Sequence, residues 1–232
     1  MVFSFLQENL DLTTQCATLK IQFLKNYHEK KGERILISED LEKERKRLDR
    51  EITFFHFKRA KKIIDKCLRI ACKRKEEFFI NYFTAQDCIL KEKYSEAIKY
   101  LEKALHLRRN DGCSYNDKAI CLAELGRYKE ALQCFNEGIM RDKDCVSLYH
   151  NKGWLLNLLE KHKQAVLCFQ KALELEPKRV ESLYSLGDSY LNLGEEVRAK
   201  KYFSLALKEI KGKSHYIYKQ IVNQLGSKKK RL

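Results

Sequence analysis

Histidine and cysteine are the residue types in this chain best suited to acid–base, nucleophilic or metal chemistry, but their spacing matches no pattern that such chemistry uses. The chain contains six histidines and nine cysteines, with no His-Glu-x-x-His and no Cys-x-x-Cys sequence. The triplet Gly212-Lys213-Ser214 resembles the end of a phosphate-binding loop, but Leu207 stands where that loop needs its first glycine. We therefore predict no catalytic centre, no cofactor and no metal site.

The cysteines are better explained as small apolar residues than as a disulfide framework. Their number is odd, and Cys134 and Cys168 occupy one repeated helix position beside Phe135 and Phe169. This pattern is typical of buried thiols in a reducing compartment. The chain also begins without a basic leader and has no uncharged run long enough to span a bilayer. The sequence therefore predicts a soluble cytoplasmic protein, with the nucleus as the alternative.

Positive charge is concentrated at the two ends of the chain. The formal net charge is +15, of which residues 1–77 carry +6, residues 78–207 carry +2 and residues 208–232 carry +7. The basic side chains of the two densest clusters are Lys58, Arg59, Lys61, Lys62, Lys66, Arg69, Lys73, Arg74 and Lys75, and then Lys228, Lys229, Lys230 and Arg231. Such clusters indicate either binding to nucleic acid or another anionic surface, or simply a solvated charged face.

The sequence predicts that the chain is built from helices, because it contains only one proline and nine glycines. Small residues also recur at a fixed interval of 34 residues, which is typical of a repeated pair of helices. One column of small residues is Ala97, Ala131, Ala165 and Ala199, and it is followed four places later by Leu101, Phe135, Phe169 and Phe203. Two further small columns are Ala85, Ala119, Gly153 and Gly187, and Ala104, Gly138, Ala172 and Ala206. Small residues let antiparallel helices approach closely, and the large ones fill the gaps.

This pattern resembles the tetratricopeptide repeat family, whose 34-residue unit is a helix-turn-helix with small residues at these places. The resemblance covers four units, at residues 78–111, 112–145, 146–179 and 180–213. It implies an all-α protein folded as a right-handed α-solenoid. The family's proline after the second helix is present only as Pro177. Because that proline only helps to end a helix, its absence elsewhere does not change the predicted fold.

The residues before the repeats are predicted to form an N-terminal helical extension, residues 1–77, because the ends of a solenoid need atypical caps. One helix is expected near residues 11–27. A second is expected to begin at Ser38, with an apolar face formed by Leu41, Leu48, Ile52 and Phe55. The alternative for residues 44–77 is a degenerate fifth repeat.

The residues after the repeats are predicted to form a C-terminal cap helix and a tail. Residues 214–225 carry apolar side chains at helical spacing, which is typical of a helix that covers the last repeat. Residues 226–232 follow as a disordered basic tail.

In this family the ligand usually lies in a concave groove lined by the first helix of each unit, so the resemblance implies a partner-binding groove here. Helical spacing from the small-residue column places aromatic, polar and acidic side chains on that face. The predicted groove residues are Tyr82, Gln86, Asn116, Asp117, Ile120, His150, Asn151, Trp154, Tyr184 and Asp188. Trp154, His150 and Tyr184 are the predicted aromatic anchor, unless the indole ring serves packing instead. Asp117 and Asp188 are expected to favour a basic or neutral peptide segment.

One branch of the family binds the acidic C-terminal tails of heat-shock chaperones with a clamp of lysine, asparagine and arginine. The matching positions in this chain are Tyr82, Gln86, Asp117, Ser147 and Asn151. None of them matches the clamp, so we do not expect a chaperone tail as the ligand.

The sequence therefore predicts a non-enzymatic scaffold or adaptor that binds protein partners in its groove. The alternative function is binding to nucleic acid or an anionic surface through residues 56–75 and the Lys-rich tail.

Overall fold

The computed structural model describes residues 41–53, 55–210 and 216–227. The predicted helix near residues 11–27 lies outside the described residues, and so do Ser38 and the four basic residues Lys228 to Arg231. The chain divides into two compact units, residues 1–74 and residues 75–232.

In the first unit, two helices pack against each other through aliphatic side chains. Helix α1 spans Leu41–Thr53 and helix α2 spans Phe57–Arg74. Leu41 and Leu48 are buried from α1, and Ala60, Ile63, Ile64, Cys67 and Ala71 are buried from α2. The Lys66 ammonium lies 3.5 Å from a Glu44 carboxylate oxygen and links the two helices. The outward face of α2 therefore remains rich in lysine and arginine.

The prediction that Phe55 lies on the apolar face of α1 is wrong. The helix ends at Thr53, and Phe55 adopts a left-handed backbone conformation with φ 58°. Its side chain is 63% exposed and its ring packs edge-on against that of Phe57, with centroids 6.2 Å apart. A residue with a left-handed backbone conformation cannot continue an α-helix. Extending the helical spacing of α1 to residue 55 therefore assigns Phe55 to a face that the helix does not reach.

The second unit consists of successive antiparallel helix pairs, as the resemblance implied. The pairs are α3 (Glu77–Leu90) with α4 (Tyr94–Leu107), α5 (Gly112–Glu124) with α6 (Tyr128–Arg141), α7 (Val146–Leu158) with α8 (His162–Leu175), and α9 (Val180–Asn192) with α10 (Glu196–Glu209). Each pair contacts the next, and the described residues contain no strand. The predicted all-α solenoid is confirmed.

The repeated small residues lie where the helices cross. Ala131 and Ala165 are fully buried and Ala199 is 1% exposed, as predicted. The glycines of the first helices are packed still more tightly: a Cβ on Gly153 would lie 2.8 Å from Cε1 of Phe169, and one on Gly187 would lie 2.7 Å from the Phe203 ring. Contacts this short leave no room for a side chain, so the glycine and the aromatic ring fit together as a pair.

The turn inside each helix pair also repeats with the 34-residue period. Glu92, Gly126, Glu160 and Gly194 end the four first helices in a left-handed conformation, with φ of 57°, 74°, 58° and 77°. Glycine adopts this conformation without steric cost, whereas glutamate does not. All four turns thus have the same left-handed backbone geometry, although only two of them have glycine at this position.

Helix α11 (Tyr216–Ser227) contacts α9 and α10 and covers the end of the last pair. Ile217 and Ile221 are buried in the cluster that contains Leu186 and Phe203. The helix continues through Gly226 to Ser227, two residues beyond the predicted end of the cap. None of the described helices combines the length and apolar character needed to cross a bilayer.

Replacing Ala165 with leucine should destabilise the protein, because the larger side chain must enter a fully occupied helix crossing. We expect the free energy of unfolding to fall by roughly 1 to 3 kcal/mol, measured by urea denaturation. Gln164→Leu is the matched control, because Gln164 is exposed on the same helix. Equal stability of the two variants would contradict the described packing of α8.

Candidate partner-binding groove

The first helices of the pairs, α3, α5, α7 and α9, are called the inner helices here, and the side that carries the predicted groove residues is called the inner-helix face. Polar side chains join neighbouring inner helices along this face. Gln86 Nε2 of α3 donates to Asp117 Oδ2 of α5 at 2.5 Å. Asn151 Nδ2 of α7 donates to Asn116 Oδ1 of α5 at 2.7 Å, and Asn116 Nδ2 donates to Asp117 Oδ1 at 3.1 Å. Four predicted groove residues thus form one hydrogen-bonded chain across three helices.

This network limits what these four side chains can offer a ligand. Gln86 and Asn116 are 4% and 5% exposed, so their amide groups serve contacts between the repeats. Asp117 is half-buried and accepts hydrogen bonds from two amides, which satisfies much of its capacity as an acceptor. Position along a helix indicates which residues share a face, but it does not reveal which of them bind one another.

His150 holds α7 to α9. Its Nδ1 lies 3.0 Å from Oγ of Ser182, and its ring centroid lies 5.5 Å from that of Phe169. Burial, together with the smaller effect of the nearby Arg179 guanidinium, lowers the pKa of His150 to about 3. The imidazole is therefore neutral at physiological pH and contributes a hydrogen bond but no charge to the inner-helix face.

The cap helix α11 contributes to the inner-helix face at the last inner helix, α9. Gln224 Nε2 of α11 donates to Asp188 Oδ1 at 2.9 Å, and Asn192 Nδ2 donates to the other carboxylate oxygen at 3.4 Å. Asp188 forms no ion pair with any cation among the described residues, so its charge is not neutralised there. Burial, followed by the Asp188 charge, raises the pKa of Tyr184 to about 12. A carboxylate with no ion pair to a described residue, next to a neutral phenol, is a suitable site for a cationic group.

Sequence reasoning missed Gln224, Ser182 and the contact between Asn157 and Ser189, in which Asn157 Nδ2 donates to Ser189 Oγ at 2.8 Å. All of them lie on inner helices or on the cap helix, next to predicted groove residues. Ser182 and Ser189 are completely buried, and small polar residues at buried helix positions are the signal that could have identified them. The signal for Gln224 is weaker, because an amide on a cap helix is usually solvated.

Tyr82 and Ile120 differ in how much of the side chain is exposed to solvent. Tyr82 is 6% exposed, and its ring stacks on Phe78 and packs edge-on against Phe83 at centroid distances of 6.2 and 5.4 Å. The ring therefore belongs to an aromatic cluster at the start of the repeats. Ile120 is half-buried on α5, at the position that corresponds to Trp154 on α7.

Trp154 is the most accessible of the predicted groove residues. Its side chain is 43% exposed, and that of Leu158, one turn further along α7, is 54% exposed. The rings of His150 and Tyr184 pair with Phe169 and Phe203 instead, at 5.5 and 5.8 Å. The structure thus places the three aromatic residues on neighbouring inner helices without joining them in one ring cluster, and it leaves the indole open to solvent.

Comparisons with known proteins give a consistent answer about the family. Three family profiles, each described as tetratricopeptide repeat, match residues 89–152, 146–179 and 168–201. The chain is a tetratricopeptide repeat protein. No curated protein matches the sequence.

Three solved structures of another protein resemble this chain in fold. A MamA structure matches with a TM-score of 0.53 and 18% identity, over 75% of this chain and 96% of its own. A second MamA structure has a TM-score of 0.52 and 18% identity over 73% and 91% of the two chains. A fragment of MamA from Desulfovibrio magneticus RS-1 has a TM-score of 0.51 and 18% identity over 72% and 93%. Identity this low establishes a common fold and leaves the ligand open.

The predicted basic cluster lies outside these tetratricopeptide repeats, and α2 carries most of it. Three of its cations lie near acids: Arg59 at 3.8 Å from Glu51, Lys61 beside Asp65, and Lys66 beside Glu44. A second group points outward, is exposed and forms no ion pair with a described residue. Its members are Lys58, Lys62, Arg69 and Lys73. Helical spacing places these four side chains on one face within about 60° of one another.

The protein should lose stability as the pH falls below the ordinary pKa of histidine, because of His150. The lowered folded-state pKa means that the unfolded chain binds a proton first as the pH drops through about 6.5, and this favours unfolding. The contribution is fully present above that pH and is lost toward about 3. We expect a loss of roughly 1 kcal/mol per pH unit between pH 6 and 5, measured by urea denaturation.

In the His150→Gln variant the additional pH dependence should disappear, since glutamine does not titrate. His106→Gln is the matched control, because His106 is exposed on α4. The same pH dependence in wild type and His150→Gln would show that this imidazole titrates normally in the folded protein.

Proposed function

We propose that this protein is a non-enzymatic scaffold that holds a segment of a partner protein against the inner-helix face, with Trp154 as the anchor. The observation that carries the proposal is the contrast along this face. Gln86, Asn116 and Tyr82 are almost completely buried, whereas the only tryptophan of the chain is 43% exposed. An exposed aromatic ring, among neighbours that are already buried or hydrogen-bonded, offers a partner a large apolar contact and loses little conformational entropy on binding.

The accessible part of the face is apolar at its centre. Trp154 and Leu158 lie one turn apart on α7, and Ile120 occupies the corresponding position on the preceding inner helix. Together they offer a short apolar strip that matches one or two large side chains of an extended or helical segment. Burial of this strip by a partner would supply the hydrophobic contribution to the binding free energy.

The charges next to the strip favour a cationic ligand. Asp188 occupies the position that corresponds to Trp154 on the following inner helix, and its charge has no ion-pair partner among the described residues. His150 is neutral, so it does not repel a cation. We therefore infer that the partner segment places an apolar side chain on Trp154 and a lysine or arginine near Asp188. The cytoplasm remains our proposed location, because cysteines that pack as small apolar residues, such as buried Cys134 beside Phe135, are typical of a reducing compartment.

The single tryptophan makes the proposal directly measurable. Peptides selected from a random display library on the full chain should shield Trp154 from acrylamide, because a bound segment covers the indole. Trp154→Ala should weaken their affinity at least about tenfold while the melting temperature stays nearly unchanged. Asp188→Asn should reduce the preference for peptides that contain lysine or arginine.

Leu167→Ala is the matched control, because Leu167 is 66% exposed on α8, a second helix of its pair. Its affinity for the selected peptides should equal that of the wild type. The proposal is wrong if the selected peptides bind with undiminished acrylamide quenching of Trp154, or if Trp154→Ala destabilises the fold and still binds them normally.

A second candidate function rests on the outward face of α2. The four exposed cations Lys58, Lys62, Arg69 and Lys73 extend over about 22 Å of helix, and Phe57, 53% exposed, lies beside the first of them. The apolar face of α2 is packed against α1, so it is not available for insertion into a bilayer. This arrangement supports binding to a single-stranded nucleic acid, with phosphates along the cations and a base on Phe57.

Removal of these four charges should weaken binding to a labelled single-stranded oligonucleotide. In the quadruple glutamine variant, the slope of log affinity against log salt should become shallower by about 3, because each cation releases roughly 0.7 counterion. The control variant replaces four exposed lysines of the repeats, Lys99, Lys129, Lys163 and Lys200, and loses the same net charge. Equal slopes in the two variants, or binding to phosphatidylserine vesicles but not to the oligonucleotide, would exclude this second function.

A further inference from the structure

Two cysteines from neighbouring repeats meet at the start of two inner helices. Cys113 is the second residue of α5, and Cys145 is the N-cap of α7. The Cys113 thiol lies within hydrogen-bonding reach of the Cys145 sulfur. Cys113 is exposed and Cys145 is half-buried, so small reagents can reach the pair from solvent. Neither thiol has a place in the partner-binding groove proposed above.

Gly112 explains how the two thiols come so close. A Cβ on this residue would lie 2.7 Å from the Cβ of Cys145 and even closer to the Asp142 carboxylate. Only glycine allows the backbone at the start of α5 to lie directly against the residue that begins α7. This close approach brings the next residue of the chain, Cys113, next to Cys145.

The surroundings of Cys145 favour its thiolate. Hydrogen bonding from Cys113, the largest influence, lowers the pKa of the Cys145 thiol, although burial and the Asp142 and Asp117 carboxylates act in the opposite direction. Cysteines at helix N-termini gain further stabilisation of the thiolate from the helix dipole. The other buried cysteines of the repeats behave differently: burial raises the pKa of Cys88 to about 11 and that of Cys134 to about 12.

We propose that Cys113 and Cys145 form a peroxide-sensitive thiol pair that closes reversibly to a disulfide between the second and third repeats. In the first step the Cys145 thiolate attacks hydrogen peroxide, so that an S–O bond forms, the O–O bond breaks and hydroxide leaves. In the second step the Cys113 sulfur attacks the Cys145 sulfenic acid; the S–S bond forms, the S–O bond breaks and water leaves. Two thiols and one peroxide thus give one disulfide and two waters, and a dithiol reductant reverses the change.

The disulfide would strengthen a connection that already exists between the same two helices. Asn151 of α7 donates to Asn116 of α5 at 2.7 Å, one turn further into α5 than Cys113. A covalent bond at the helix starts would add a second fixed point, so that α5 and α7 no longer change their relative orientation. Oxidation would therefore reduce the mobility of the repeats at this junction, and in a reducing compartment it would be transient.

Peptide mapping of the full chain can test this pairing. Trypsin places Cys113 in the peptide of residues 110–118 and Cys145 in that of residues 144–152, each with a single cysteine. After brief treatment with dilute hydrogen peroxide and blocking of free thiols, we expect these two peptides to be joined, two hydrogens lighter than the reduced pair, and separable by dithiothreitol. In Cys113→Ser, dimedone should trap sulfenic acid on Cys145 at least about tenfold more than in the wild type, because the second thiol is missing.

Cys72→Ser is the control, because Cys72 is also half-buried and lies outside the repeats; it should leave the joined peptide unchanged. Cys145→Ser should leave Cys113 mostly reduced under the same treatment. The proposal is overturned if the joined peptide is absent from the wild type, if either cysteine is instead joined mainly to a different one, or if dimedone labels Cys113 and Cys145 equally in the two single variants.

Discussion

The fit of a small residue against a large apolar side chain, a phenylalanine ring in the last three helix pairs, is the contact on which the rest of the repeats depends. Gly153 with Phe169 and Gly187 with Phe203 leave no room even for a Cβ. Because each ring is fully enclosed, the two helices of a pair have only one rotation and one axial position at which they pack without clash. That rotation decides which residues of the first helix lie on the inner-helix face.

The period of 34 residues made this contact predictable, since it depends on residues close in sequence. Ala131, Ala165 and Ala199 are buried where the small-residue column places them. The end of α1 was not predictable in the same way, because periodicity contains no information about the left-handed residue that stops a helix. Phe55, with φ 58°, continues the apolar spacing of α1 and yet lies outside it, exposed.

The chemistry of the inner-helix face was only partly accessible from sequence. Helical spacing correctly brings Asp117 and Asn116 to the same side as Asn151, but Gln86 and Asn151 take up their hydrogen-bonding groups. Such pairings depend on the offset between neighbouring repeats, which is a property of stacking and not of any one helix. The stacking of repeats therefore uses polar groups that a reading of single helices assigns to a ligand.

Trp154 combines a fixed backbone with an accessible side chain. The preceding residue, Gly153, is locked against Phe169, with 2.8 Å between the position of its missing Cβ and the ring. The main chain at residue 154 therefore has little freedom, while 43% of its side chain remains exposed. An anchor of this kind needs little ordering when a partner binds, so more of the contact energy appears as affinity. The same helix crossing that stabilises the fold thus also fixes the backbone of the proposed anchor, and this is why an interior packing contact matters to the proposed binding surface.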